Sequence, residues 1–111
     1  MLCLRIAARV AAVSLLAFVA VDVAVAAPAT TVAIDNFMFT PMTVSVPVGG
    51  TVTWVNNDDI PHTVRAVDGS FHSPALDTAD RYSFTFTKAG VYSYFCSIHP
   101  KMVAKVIVKA Q

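Results

Sequence analysis

Residues 90–102 have the sequence Gly-Val-Tyr-Ser-Tyr-Phe-Cys-Ser-Ile-His-Pro-Lys-Met, which joins a strand pattern to a group of metal-binding side chains. The first half alternates aromatic residues with other side chains, which is typical of a half-buried β-strand. Alternation places Tyr92, Tyr94 and Cys96 on one face of this strand and Phe95 on the other. The loop that follows carries a thiol, an imidazole and a thioether at intervals of three residues. We therefore expect the end of this strand to carry the chemistry of the protein.

Short segments of the same strand-forming kind recur along the chain after residue 27. They are rich in β-branched and aromatic residues, and turns rich in Gly, Pro, Asn and Asp separate them. The predicted strands are 31–34, 43–46, 51–55, 63–67, 82–86, 91–95 and 105–108. Seven strands at this spacing predict an all-β fold, an antiparallel sandwich or barrel. Val52 and Trp54 share one face of their strand, so we expect both in the core.

The first 26 residues are predicted to be a cleavable secretory signal peptide. Arg5 and Arg9 give a positive start, an apolar run follows over 10–20, and Asp22 ends that run. A small-x-small pattern ends at Ala26, so cleavage is expected after this residue. A membrane anchor is the alternative, but the apolar run is too short to cross about 30 Å of hydrocarbon. Export to the periplasm follows from this interpretation.

The remaining segment, residues 27–111, forms a single small domain in this interpretation. The whole chain has eight Lys or Arg residues and seven acidic residues, all of them Asp. Loss of Arg5, Arg9 and Asp22 leaves equal numbers of each sign, so the mature domain has no net charge. A neutral domain has no strong field that steers it onto nucleic acid or an anionic membrane. We expect neither as a partner, and no membrane span in the mature protein.

Cys96 is the only cysteine of the predicted mature domain, because Cys3 leaves with the signal peptide. It has no partner for an internal disulfide, and a free thiol in an oxidising compartment is reactive unless something occupies it. A buried, inert cysteine is the alternative. His99 and Met102 follow in the same loop and favour a metal. His62 lies at the edge of an upstream strand, and a Greek-key sandwich is able to bring such distant strand ends together.

Two imidazoles, one thiolate and a weak axial thioether are the donor set of an electron-transfer copper site. The thiolate and thioether suit Cu(I), and imidazoles also suit Cu(II), so neither oxidation state is rejected. Structural zinc favours four Cys or His ligands, and a catalytic zinc site needs an open position and a general base. The chain contains no Glu. The pattern therefore predicts a copper site made by His62, Cys96, His99 and Met102, and no enzyme, because four donors leave no open position.

The sequence resembles the cupredoxins, the small blue copper proteins, and among them the amicyanins most closely. The resemblance covers nearly all of the predicted domain and lies in residues 36–41, 48–56, 61–64, 84–90 and 92–96. Its most specific part is the short Cys-x-x-His-x-x-Met loop. The resemblance implies a Greek-key antiparallel β-sandwich that binds one type 1 copper ion cycling between Cu(I) and Cu(II). It also implies that His62, Cys96 and His99 are the equatorial ligands and that Met102 is the axial ligand.

The resemblance further implies a function: a monomeric periplasmic carrier that shuttles single electrons between redox proteins, such as a dehydrogenase or a cytochrome c. A copper-binding module for storage, delivery or resistance is the alternative use of the same fold. Partners are expected to dock on the apolar surface around the exposed edge of one imidazole. This surface consists of Ile60, Pro61, Ile98, His99 and Pro100.

Four further positions carry expectations of their own. Thr63 stands where such proteins often have an Asn that ties the two ligand loops together, and its hydroxyl is also able to form hydrogen bonds. Met38 and Met42 lie on strand-like segments, and we expect them to fill the core or an edge rather than to form a copper-loading surface. Lys101 places one charge inside the expected docking surface.

Overall fold

The computed structural model describes residues 10–21 and 29–111. Residues 10–21 contain no helix or strand. The predicted cleavage site after Ala26 lies outside the described residues, so the boundary between signal peptide and domain stays a prediction. In the part of the chain that the structure describes, no helix is long and apolar enough to cross a membrane.

Eight strands make up the described domain. They are β1 (Ala29–Asp35), β2 (Met38–Thr40), β3 (Thr43–Pro47), β4 (Thr51–Asn56), β5 (Arg65–Ala66), β6 (Arg81–Thr85), β7 (Gly90–Phe95) and β8 (Val103–Lys109). The prediction from sequence missed the short strand β2. It also made β5 too long, since the predicted strand 63–67 is reduced to Arg65 and Ala66.

The strands form two four-stranded sheets with a shared core. One sheet has the order β2-β1-β4-β6 and the other has the order β3-β8-β7-β5. The predicted all-β, Greek-key, cupredoxin-like sandwich is confirmed. The pairing is mixed, however, because β1 pairs parallel with β4 and β3 pairs parallel with β8. The chain changes sheets after each of β2, β3, β4, β5 and β6, so strands that are neighbours in a sheet are often distant in sequence.

Trp54 lies at the centre of the core, as its place in the strand pattern predicts. Its side chain and that of Val52 are fully buried. The Trp54 ring stacks on Phe71, with the ring centroids 5.5 Å apart, and meets the ring of Tyr94 edge-on at 5.4 Å. Such aromatic pairs contribute about 0.5–1.5 kcal/mol each beyond the area they bury. In β7 the predicted alternation also holds, since Tyr94 is buried and Phe95 is half-buried on the opposite face.

Alkaline pH should destabilise the fold through Tyr94. Burial raises the pKa of Tyr94 to about 12, although the nearby Trp54 N–H lowers it slightly. An unfolded tyrosine loses its proton near pH 10, so the unfolded state gains stability between about pH 10 and pH 12. We expect a loss of up to about 2.7 kcal/mol in the free energy of unfolding across this window. Denaturant titrations at several pH values measure it.

Tyr94→Phe is the matched control for this prediction, because it keeps the ring and removes the titrating hydroxyl. The variant should lose less stability than the native protein between pH 10 and pH 12. Equal alkaline losses in the two proteins would show that Tyr94 does not titrate as expected.

Candidate metal centre

Two loops at one end of the sandwich carry the candidate ligands. His62 is held by backbone pairing with Leu76: its N–H donates to the Leu76 carbonyl at 3.1 Å, and the Leu76 N–H donates back at 2.7 Å. The loop after β7 closes on itself. Its first residue, Cys96, donates its N–H to the Met102 carbonyl at 3.1 Å, and Met102 donates to the His99 carbonyl at 2.9 Å.

The four candidate ligands gather at this end of the molecule. His62 and Cys96 are fully buried, Met102 is 6% exposed, and His99 is half-buried. His62 Nδ1 lies 3.8 Å from Cys96 Sγ, and the two imidazole ring centroids are 5.1 Å apart. Among the described residues, no three or more His, Cys, Asp or Glu side chains lie so that they could hold a metal ion by themselves.

The candidate donors fit a bound metal ion in type, and the pair formed by His62 and Cys96 also fits in spacing. Metal–nitrogen bonds in proteins are about 2.0 Å and metal–thiolate bonds about 2.3 Å. One ion bound to both His62 Nδ1 and Cys96 Sγ would separate these atoms by roughly 4 Å at most. The observed 3.8 Å is within that range. The softness of the thiolate and the thioether, combined with two imidazoles, suits copper.

The environment of Cys96 favours the thiolate, which is the form that binds metals. Burial raises the pKa of the thiol. Four neighbouring groups lower it and together bring the pKa below its usual value: the N–H of Thr63, the His62 ring, the N–H of His99 and the Thr63 hydroxyl. The Thr63 N–H donates to the sulfur at 3.3 Å, and the hydroxyl lies 3.7 Å from it.

Thr63 also joins the two ligand loops. Its hydroxyl oxygen accepts the Ser97 N–H at 2.7 Å and shares a second hydrogen bond, also of 2.7 Å, with the Ser97 hydroxyl. Thr63 therefore makes the link between loops that its position led us to expect, with a hydroxyl in place of an amide.

Asp58 orients the His62 ring, a role that the sequence did not reveal. Its carboxylate accepts His62 Nε2–H at 2.7 Å, together with the N–H of Asn36 at 2.7 Å and that of Phe37 at 3.0 Å. Burial raises the pKa of Asp58, but these donors bring it below its usual value. Because Asp58 binds Nε2, Nδ1, which faces Cys96 Sγ, is the ring nitrogen that would bind a metal. The spacing of four residues between this carboxylate and the imidazole was the only indication in the sequence.

Phe37 covers both imidazoles and was likewise missed. Asn36 and Phe37 form the two-residue turn between β1 and β2, with φ angles of 51° and 59°. A positive φ costs a bulky residue roughly 1–2 kcal/mol. The Phe37 ring meets the His62 ring at 5.4 Å and the His99 ring at 5.1 Å, both edge-on. Asn36 indicates a turn, but no local pattern shows where the neighbouring ring points.

A shallow cavity of about 460 Å³ lies over the exposed side of the site. Its lining residues are Phe37, Ile98, His99, Pro100, Lys101 and Met102. Of the expected docking surface, Ile98, His99 and Pro100 line this cavity. Ile60 and Pro61 lie on the neighbouring loop outside it, with Ile60 half-buried and Pro61 exposed. Phe37 takes a place on this surface that was not expected.

Both the sequence and the fold are similar to those of known copper-binding proteins. Residues 26–109 match the family model described as copper binding proteins, plastocyanin/azurin family. Amicyanin of Paracoccus denitrificans is 44% identical over 69 residues, which cover 58% of this chain and 53% of that protein. The chain thus spans about half the length of that relative. Amicyanin-alpha of Methylorubrum extorquens is 35% identical over 109 residues, which cover 92% of each chain.

A solved structure gives the same result for the fold. The novel purple cupredoxin from Nitrosopumilus maritimus superimposes with a TM-score of 0.68 and is 37% identical. The superposition covers 72% of this chain and 99% of that chain.

Proposed function

Since the chain belongs to the plastocyanin/azurin family of copper-binding proteins, we propose that it is a periplasmic carrier of single electrons. Its one type 1 copper ion would be held by His62, Cys96 and His99, with Met102 as the weak axial ligand. One observation carries the assignment: His62 Nδ1 faces Cys96 Sγ at 3.8 Å while Asp58 holds Nε2. Copper supplies a one-electron couple between Cu(I) and Cu(II).

The protein contributes a donor set that moves little during electron transfer. Asp58 fixes the orientation of His62, and the hydrogen bonds of Thr63 fix the position of Cys96. Both ligands are fully buried, which excludes water from them. A site held in this way favours rapid electron transfer, because few atoms rearrange when the oxidation state changes.

Electrons would enter and leave through the edge of His99, the one candidate ligand that is half-buried rather than buried. Ile98, Pro100 and Phe37 surround it with apolar surface, and Lys101 adds a single charge. Redox proteins such as a dehydrogenase or a cytochrome c would dock on this surface. The carrier itself would be a monomer. The predicted signal peptide, residues 1–26, would export the domain of residues 27–111 to the periplasm. The function is carriage rather than catalysis, because the four donors leave no open position for a substrate.

Copper storage, delivery or resistance is the second candidate function. Met38 and Met42 favour this function, because both are about half exposed beside the ligand loop and thioethers bind Cu(I). A carrier keeps its copper in both oxidation states, whereas a delivery protein releases Cu(I) to an acceptor.

Electron self-exchange between oxidised and reduced copies tests the carrier function without a known partner. We expect Ile98→Lys to slow self-exchange roughly tenfold or more, because two like charges then meet where two copies touch. Val91→Lys is the control, since Val91 is 64% exposed at the opposite end of β7 and should change the rate by less than about twofold. NMR line broadening in mixtures of the two oxidation states gives the rate.

Slow self-exchange in the native protein, together with ready loss of Cu(I) to a competing chelator, would favour the delivery function. Equal rates in the Ile98→Lys and Val91→Lys variants would remove the docking surface from the proposal.

A further inference from the structure

Met38 and Met42 are not in the core, where a methionine is usually useful as a filler. Met38 begins the edge strand β2 and is 51% exposed, and Met42 lies in the bend before β3 and is 55% exposed. Of the core or edge position expected for the two methionines, the structure shows the edge. Exposed apolar side chains near a candidate metal site often indicate a surface that binds a ligand or a partner.

The two side chains share a cavity with a candidate copper ligand. Met38, Met42 and Met102 all line one cavity of about 190 Å³ at the end of the sandwich. The other lining residues are Phe37, Phe39, Lys101 and Val103. Every methionine of the described residues thus faces the same small space. The cavity reaches from the surface to the side chain of Met102, which is 6% exposed.

The chemistry of this lining selects one kind of ligand. Thioether sulfur is a soft donor that binds Cu(I), whereas Ca²⁺ and Mg²⁺ need oxygen ligands. No carboxylate lines the cavity. Lys101 adds a positive charge, which disfavours a divalent ion more than a monovalent one, and its long side chain is able to extend its ammonium group into water.

We propose that Met38 and Met42 form a surface site for Cu(I), from which the ion passes by way of Met102 to the buried site. This inference rests on the proposed function, since the buried copper centre is the acceptor. In the transfer, bonds from Cu(I) to the two surface thioethers break, and bonds to the Cys96 thiolate and to His62 Nδ1 form. No electron moves, and a proton still on the thiol leaves to water.

The order of the two sites gives the transfer a direction. The surface site has neutral, exposed thioethers, which bind Cu(I) more weakly than an anionic thiolate does. Met102 belongs to both the cavity lining and the candidate ligand set, which makes it the link between the two sites in this proposal. The ion therefore moves from weaker to stronger donors.

The first test uses the reduced, copper-loaded protein with isotope-labelled methionine methyl groups. A second equivalent of Cu(I), supplied as its acetonitrile complex, should shift the methyl resonances of Met38 and Met42. In the double variant Met38→Leu/Met42→Leu, the second equivalent should stay with acetonitrile. Leucine conserves the apolar volume and removes only the sulfur, so a merely apolar docking surface would behave alike in both proteins. Absence of the methyl shifts in the native protein would overturn the proposal.

The second test follows copper uptake by the full chain prepared without copper. The double leucine variant should take up Cu(I) from a chelator at least fivefold more slowly than the native protein, and should reach the same blue absorption after oxidation. Val91→Leu, at the other end of the molecule, should not change the rate. Equal uptake by the native protein and the double variant would overturn the route. If no variant ever becomes blue, the buried copper centre fails instead, which is a separate result.

Discussion

Cys96→Ala should abolish the intense blue absorption of the copper-loaded protein completely. The colour of such a centre comes from charge transfer between the thiolate and Cu(II), and the described domain has one thiol. Met102→Ala should keep the colour, because the axial thioether is a weak ligand, and should change the reduction potential. Visible absorption and copper content, measured on the same samples, give both results.

Ser93→Ala is the matched control for this experiment. Ser93 lies on the same strand as the residues leading to Cys96, but it is exposed on the outer face. The variant should bind copper and be as blue as the native protein. A Cys96→Ala protein that stays blue would exclude the thiolate as a ligand and with it the type 1 assignment.

Asp58→Ala should lower the free energy of unfolding by about 3–4 kcal/mol. The carboxylate accepts three hydrogen bonds, one of them from the fully buried His62 ring. Its removal leaves that ring nitrogen without an acceptor and leaves the strained turn at Phe37 without its anchor. Water is able to replace part of the loss, because the Asp58 side chain is 11% exposed. Denaturant unfolding of the variant measures the cost.

The neighbouring carboxylate provides the control. Asp59→Ala removes an exposed side chain and should change stability by less than about 0.5 kcal/mol. Asp58→Asn should fall between the two, because an amide has one oxygen where the carboxylate has two. The Cu(II) electron paramagnetic resonance spectrum should change in both Asp58 variants, since His62 loses its fixed orientation. Equal stability losses for Asp58→Ala and Asp59→Ala would contradict the anchoring role.

The features of the fold and of the candidate site that could be predicted are those that depend on residues close together in the sequence. Alternation of side chains along a strand is a local property, so the burial of Trp54 and the faces of β7 were predictable. The Cys-x-x-His-x-x-Met loop is also local. The position of the Asp58 carboxylate, by contrast, depends on a hydrogen bond from Asn36, which is 22 residues away in the sequence. Asn36 lies in a turn whose backbone has positive φ angles. No pattern within either segment specifies that contact.

The same limit explains the errors. Strand β2 is only three residues long and has no alternation of its own to detect. Met38 and Met42 were expected to fill the core or an edge, and residue type alone does not distinguish these two positions. Their actual position depends on how the edge strand meets the ligand loop, which is a property of the assembled sandwich.

The parallel pairing of β3 with β8 has a consequence for how the protein folds. Thr43 is the partner of Lys105, so one sheet is completed only when the last strand pairs with the third one, about 60 residues earlier in the sequence. Contacts between residues this far apart in sequence slow folding, typically to the order of milliseconds to seconds for all-β proteins. Cys96, His99 and Met102 lie between β7 and β8. We therefore expect these three candidate ligands to reach their final positions only after β8 has paired, and a chain cut short before β8 to lack the metal centre.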